Sequence, residues 1–201
     1  MLLELNEKEF EMIITAFRQI FMNENEVIEV DHIDEDNYKE YIDKTVKVTG
    51  DVYLDGLGLT KIPINFTEVG GYFDCSGNQL TSLKGAPEKV CGSFYCWKNF
   101  LTDLAGAPEK VGGSFDCTYN KLTSLKGVPK EVGGSFYCTE NQLTSLEGAP
   151  EKVGGSFYCT KNQLTSLAGA PEKVGGDFEC WGNNLKSTKG KPETIGGRFL
   201  K

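Results

Sequence analysis

The sequence predicts a β-solenoid, a parallel sheet stacked from 21-residue turns, with a small helical cap at its N-terminal end. Three observations predict it. A pattern restarts every 21 residues without insertion at Gly70, Cys91, Gly112, Gly133, Gly154, Gly175 and Gly196. Within it, segments such as Ser-Phe-Tyr-Cys-Thr alternate, with Phe and Cys on one face and Ser, Tyr and Thr on the other, as a half-buried strand does. A turn of 21 residues is too short for a strand, a full helix and two turns, so each is a strand plus an irregular or extended return.

Residues 1–45 form an acidic helical cap, and residues 46–201 form the solenoid. The solenoid divides into a degenerate first turn at 49–69, regular turns over 70–195 and an open final strand at 196–201. In the cap, Asn6 with Glu9 makes a capping-box pattern. Phe10, Ile13, Ile14, Phe17, Ile20 and Phe21 follow as one apolar stripe, which predicts an amphipathic helix over 6–22. Val27, Ile28 and Val30 suit a short strand, and Asp34 to Lys44 a second short helix with Tyr38, Tyr41 and Ile42 on one side. Such a head hides the open edge of the first turn.

The first turn keeps the register with Val52 in the Phe place, Leu54 in the Cys place, Leu59 and Ile62 in the two Leu places and Val69 in the Val place. The regular turns carry one column of cysteines (Cys75, Cys96, Cys117, Cys138, Cys159, Cys180) and one of prolines from Pro87 to Pro192. Gly-x-Pro ends each unit because it continues neither ladder nor helix. Thiols beside inward Phe side chains act as small hydrophobes. Without a Cys-x-x-Cys pair or a second histidine besides His32, no metal or cofactor site is expected. Seven free thiols suit a reducing compartment, and Cys91, standing in a glycine place, is the thiol expected to be exposed. The asparagines from Asn78 to Asn183 are expected to bond the backbone of adjacent turns. The Gly-Gly pairs lack the helix and Lys of a phosphate loop and are expected to serve tight backbone packing.

These columns carry a resemblance. Phe-x-Cys-x-x-Asn-x-Leu is similar to the Leu-x-Leu-x-x-Asn-x-Leu core of leucine-rich repeats, with Phe and Cys in two Leu places. Asn162 to Leu167, Asn-Gln-Leu-Thr-Ser-Leu, resembles the short repeats of bacterial leucine-rich-repeat effectors, and Gly-Gly-x-Phe-x-Cys resembles repeat proteins of phages and bacteria. The resemblance covers about 150 residues. It implies a scaffold rather than an activity. The Gly-Gly pair departs from the usual leading Leu, so a horseshoe arc and a straighter solenoid both remain open.

The net charge of −8 is uneven: −9 over residues 1–45, −3 over 46–185 and +4 over 186–201. This acidic balance opposes direct nucleic-acid binding, which needs a basic footprint. No apolar run reaches the roughly 20 residues of a membrane helix. Met1 to Glu11 carries early acids and no small-residue cleavage site, unlike a secretory signal. The expected location is therefore cytoplasmic.

Two outward strand columns vary while the inward Phe does not. One holds Asp74, Tyr95, Asp116, Tyr137, Tyr158 and Glu179; the next holds Trp97 and Trp181, with Tyr119 one place on. Variation on a displayed face, with exposed Tyr and Trp, marks a binding surface; the competing reading is aromatic stacking that stabilises the sheet. Acids at Glu24, Glu26, Asp34, Glu35 and Asp36 form either a solvated face or a contact for a basic partner. The leading expectation is a non-enzymatic protein-interaction module, since no nucleophile–base pair is visible. The alternative is a phage-encoded inhibitor of a host defence or nucleic-acid-handling complex, with the acidic head as a charge mimic. A carbohydrate-binding solenoid ranks third. The far end, Phe199-Leu200-Lys201, begins a strand whose open edge is either blunted by Lys186, Lys189, Lys191, Arg198 and Lys201 or pairs in a homodimer.

Overall fold

The computed structural model describes residues 8, 10–13 and 27–201. β1 (Ile28–Val30) and β2 (Thr45–Val48) begin one sheet, β3 (Val52–Tyr53) begins another, and β4 (Asn65–Val69) returns to the first. From there the chain alternates between the two. β5 (Phe73–Asp74), β7 (Phe94–Tyr95), β9 (Phe115–Asp116), β11 (Phe136–Tyr137), β13 (Phe157–Tyr158), β15 (Phe178–Glu179) and β17 (Phe199–Leu200) extend the second sheet. β6 (Lys89–Val90), β8 (Lys110–Val111), β10 (Glu131–Val132), β12 (Lys152–Val153), β14 (Lys173–Val174) and β16 (Thr194–Ile195) extend the first. Among the described residues the first sheet has nine strands and the second eight, every neighbouring pair parallel and one turn apart. The chain is a parallel β-solenoid.

Each turn thus holds two short strands, where the alternation predicts one strand and an irregular return. The second comes from a charged residue followed by Val, Lys-Val in four turns and Glu131-Val132 in one, with Val inward and the charge outward: Val90, Val111, Val132, Val153 and Val174 are buried. Between the two strands a glycine pair, replaced in one turn by Cys91-Gly92, turns a tight corner against the previous turn. A Cβ on Gly154 would lie 2.1 Å from the Gly133 carbonyl oxygen, and one on Gly155 would lie 2.5 Å from Ser135 Oγ. Close approach to the previous turn therefore fixes these glycines.

The core is a set of one-turn ladders. Phe73, Phe94, Phe115, Phe136, Phe157 and Phe178 are fully buried, with consecutive ring centroids 5.1–5.4 Å apart. The cysteine column and both leucine columns fill the remaining section. Each buried Phe contributes roughly 1.5–3 kcal/mol of hydrophobic stabilisation before entropy is charged. Backbone bonds tie each turn to the next in both sheets, as from Phe94 N–H to Ser114 O at 2.8 Å in the second and from Gly112 N–H to Val90 O at 3.0 Å in the first.

The asparagine ladder bonds adjacent turns as expected. Asn99 Oδ1 accepts from Leu80 N–H at 2.9 Å, while its Nδ2 donates to Cys75 O at 3.0 Å and Cys96 O at 3.2 Å. Asn120, Asn141 and Asn162 repeat this geometry, and no side-chain N or O among the described buried atoms lacks a partner.

The N-terminal end differs from expectation. Residues 8 and 10–13 are helical, but Phe10 and Ile13 are 57% and 47% exposed, so these two members of the apolar stripe do not cover the first turn. The rest of the helix predicted over 6–22 lies outside the described residues. The predicted helix over Asp34 to Lys44 is one 3-10 turn, Tyr38–Tyr41, entered through an Asx turn. The chain itself covers the edge. β1 pairs with β2, and fully buried Ile33 bridges Val52, so 28–33 make a degenerate extra half-turn.

Candidate recognition surface

The outer face of the second sheet follows from strand alternation: Phe and Cys point in, so the residue between them points out. Register places Tyr53 beside Asp74, Asp74 beside Tyr95, Tyr95 beside Asp116, Asp116 beside Tyr137, then Tyr158 and Glu179. Asp34 follows Ile33 in the same register, ahead of Tyr53. The head and the solenoid therefore share one column, in which acid and tyrosine alternate from Asp34 to Tyr137. The sequence treats them as two separate surfaces.

Tyr95, Tyr137 and Tyr158 are half-buried. Tyr137 and Tyr158 lie parallel with centroids 4.8 Å apart, so part of this column is the sheet-stabilising stacking that competes with a binding role. In the next column Ser76 and Thr160 are buried, while Trp97 and Trp181 are 37% and 44% exposed. Trp181 Nε1–H donates to Glu179 Oε2 at 3.2 Å, and Lys161 Nζ sits 5.7 Å from its ring. Tyr119 is 56% exposed and adopts φ of 54°, a left-handed place that Gly77 and Gly182 fill in other turns. Sequence reasoning missed three exposed rings, Tyr53, Tyr72 and Phe100. Tyr53 was within reach by extending the outward column back one turn. Tyr72 replaces a column serine and stacks on Tyr95 at 6.3 Å.

Of the acidic head, Glu24 and Glu26 lie outside the described residues. Asp34 is tied into its turn: Oδ1 accepts from Asp36 N–H at 3.0 Å and Asn37 N–H at 3.2 Å, and Oδ2 lies 3.5 Å from His32 Nε2. Glu35 and Asp36 are exposed.

Asp74 and Asp116 are each held by the residue two places on, accepting from Ser76 N–H and Thr118 N–H at 2.9 Å. Burial pushes both carboxyls above their ordinary value, outweighing those bonds. A carboxyl raised by folding ionises first in the unfolded chain. It is neutral in both states below the unfolded value, and stability falls as pH rises through that value until the folded group ionises too. Asp116→Asn, which keeps the acceptor, is expected to raise the melting temperature at neutral pH by a few degrees. Near pH 3, below the unfolded value, thermal denaturation should show no difference from wild type.

Six thiols are buried, and burial pushes them up, Cys180 to about 11 and the others further or in the same direction. Protonated thiols behind packed Phe rings are poor nucleophiles. Cys91 is exposed, with Sγ 3.9 Å from Glu68 Oε1. A colorimetric disulfide reagent is expected to titrate one thiol in the folded protein and all seven after denaturation. Fast reaction of two or more in the folded state would contradict the packing.

Among the described residues, no cluster of three or more His, Cys, Asp and Glu side chains is placed to hold a metal ion, and no helix is long and apolar enough to cross a membrane. Comparison of the chain with protein-family models, with curated proteins and with solved structures finds no match.

Proposed function

We propose that the chain is a non-catalytic recognition module, a leucine-rich-repeat-like solenoid whose second sheet binds a protein partner with a basic surface. One observation carries this reading: the outward column in which carboxylate and tyrosine alternate from Asp34 to Tyr137, flanked by exposed Trp97 and Trp181. Phenol rings and indoles offer large rigid contact area, and interleaved carboxylates suit lysine and arginine through ion pairs and cation–π contact. Packing explains the inward Phe and the asparagine ladder, but not exposed indoles in a column that otherwise holds Ser and Thr. Six buried cysteines without disulfides suit a reducing compartment, hence a cytoplasmic location.

The test uses the full chain as bait in a cell lysate, with bound proteins identified by mass spectrometry. Trp97→Ala with Trp181→Ala should lose the captured partner while the melting curve stays within about 0.5 kcal/mol of wild type, as exposed substitutions do. Retention of that partner by the double variant would overturn the reading.

A further inference from the structure

The first sheet has its own feature. A groove of about 1320 Å³ runs over the outer face of β6, β8, β10, β12 and β14. Its floor is apolar and bare: Ala107, Val128, Pro129 and the exposed backbone of Gly112, Gly133 and Gly154. Its rim is cationic, with Lys89, Lys110, Lys130, Lys152 and Lys173 against Glu109 and Glu131. In a chain of net charge −8 this concavity has the opposite sign. The glycines are required by turn-to-turn packing, but the lysines are not: their side chains leave the core entirely.

Within the rim, Lys89, Lys130 and Lys152 are committed to Glu68, Glu151 and Glu131. Among the described residues, Lys110 and Lys173 have no ion-pair partner. Register puts them in one column three turns apart, about 14 Å on the parallel-strand spacing. An extended peptide running along the solenoid axis places residues i and i+4 about 13–14 Å apart, with the side chain at i+2 on the same side.

We propose that this groove binds an acidic, extended peptide segment of a partner protein. Carboxylates at i and i+4 reach Lys110 and Lys173, and an apolar side chain at i+2 rests on the Val128–Pro129 floor. The site is separate from the second sheet and does not depend on what that face binds.

The probe is a synthetic blocked peptide, Gly-Glu-Ala-Val-Ala-Glu-Gly, titrated into the full isotopically labelled chain and followed by nuclear magnetic resonance. Controls are the same peptide with both Glu replaced by Lys, the same composition with adjacent Glu residues, and a short oligothymidylate. Shifts are expected for the groove residues with the spaced acidic peptide and not with the lysine peptide. Lys110→Glu with Lys173→Glu is expected to weaken binding by roughly tenfold or more, as is added salt. Lys110→Gln with Lys173→Gln gives a milder change that keeps the fold in hand. Trp97→Ala with Trp181→Ala should leave this binding unchanged, so its outcome is distinguishable from that at the second sheet. Absence of shifts, equal binding by the charge-reversed chain, equal binding of the adjacent-Glu peptide, or tighter binding of oligothymidylate would each overturn the proposal.

Discussion

Phe136→Ala is expected to destabilise the solenoid by about 3–5 kcal/mol, the range for truncating a fully buried aromatic ring. The ring is stacked 5.4 Å from Phe115 and 5.3 Å from Phe157, so its loss leaves a void between two turns that cannot collapse without breaking their backbone ladder. Stability in a stacked repeat is a sum of nearest-neighbour terms, so the damage is local to one interface. The two tryptophans lie on opposite sides of it, Trp97 two turns before Phe136 and Trp181 two turns after. Urea unfolding followed by fluorescence in Trp97→Phe and Trp181→Phe backgrounds should therefore give separate midpoints for the two halves once Phe136 is truncated. Coincident midpoints with a loss below about 1 kcal/mol would mean that the phenylalanine ladder does not hold the turns together.

The second large effect lies in the asparagine ladder. Asn141 accepts from Leu122 N–H at 3.0 Å and donates to Cys117 O, Cys138 O and Thr139 O at 3.1–3.2 Å. Asn141→Leu removes all of these and leaves the buried Leu122 N–H without a partner, while the three carbonyls each keep one donor, Asn120 Nδ2, Asn162 Nδ2 and Tyr119 N–H. The orphaned N–H costs about 1–3 kcal/mol and the weakened carbonyls about 1 kcal/mol more, an expected total of about 2–4 kcal/mol. Asn141→Asp is expected to be worse at neutral pH, because a carboxylate then faces the carbonyl oxygens. Gln142→Ala, one place on and exposed, should stay within about 0.5 kcal/mol. Chemical denaturation of the four proteins checks this ranking, and an Asn141→Leu chain as stable as Gln142→Ala would refute the ladder's role.

The solenoid was legible because its determinants repeat. Seven restarts at one spacing locate the inward Phe and Cys, the amide ladder and the glycine corner without any knowledge of the third dimension. The second strand is harder to read: Lys-Val is only two residues long, and its strand character comes from bonding to equivalent dipeptides one turn away, a tertiary effect. The head departs from its helical spacing for the same reason. Asp34 to Lys44 has helical spacing, yet Ile33 gains more by completing the edge of the second sheet than the segment gains by coiling. That edge pairing also places Asp34 in line with Tyr53 and Asp74. The serine ladder escaped notice as well. Ser114 Oγ accepts from Ser135 N–H at 3.0 Å, a turn-to-turn bond indistinguishable in sequence from an ordinary surface serine. The lysine-rimmed groove needed the structure, because its members lie 21 residues apart in chain order and belong to a strand the alternation did not reveal.

The central claim is that the outer face of the second sheet is the partner-binding surface. It is tested most directly by placing a photoreactive benzoylphenylalanine at Tyr95 or Tyr158, and separately at the exposed loop position Lys84, then irradiating each full chain in lysate. The account predicts a discrete protein adduct from positions 95 and 158 that is competed by excess wild-type chain, and none from position 84. Absence of any competed adduct from 95 and 158 would contradict it.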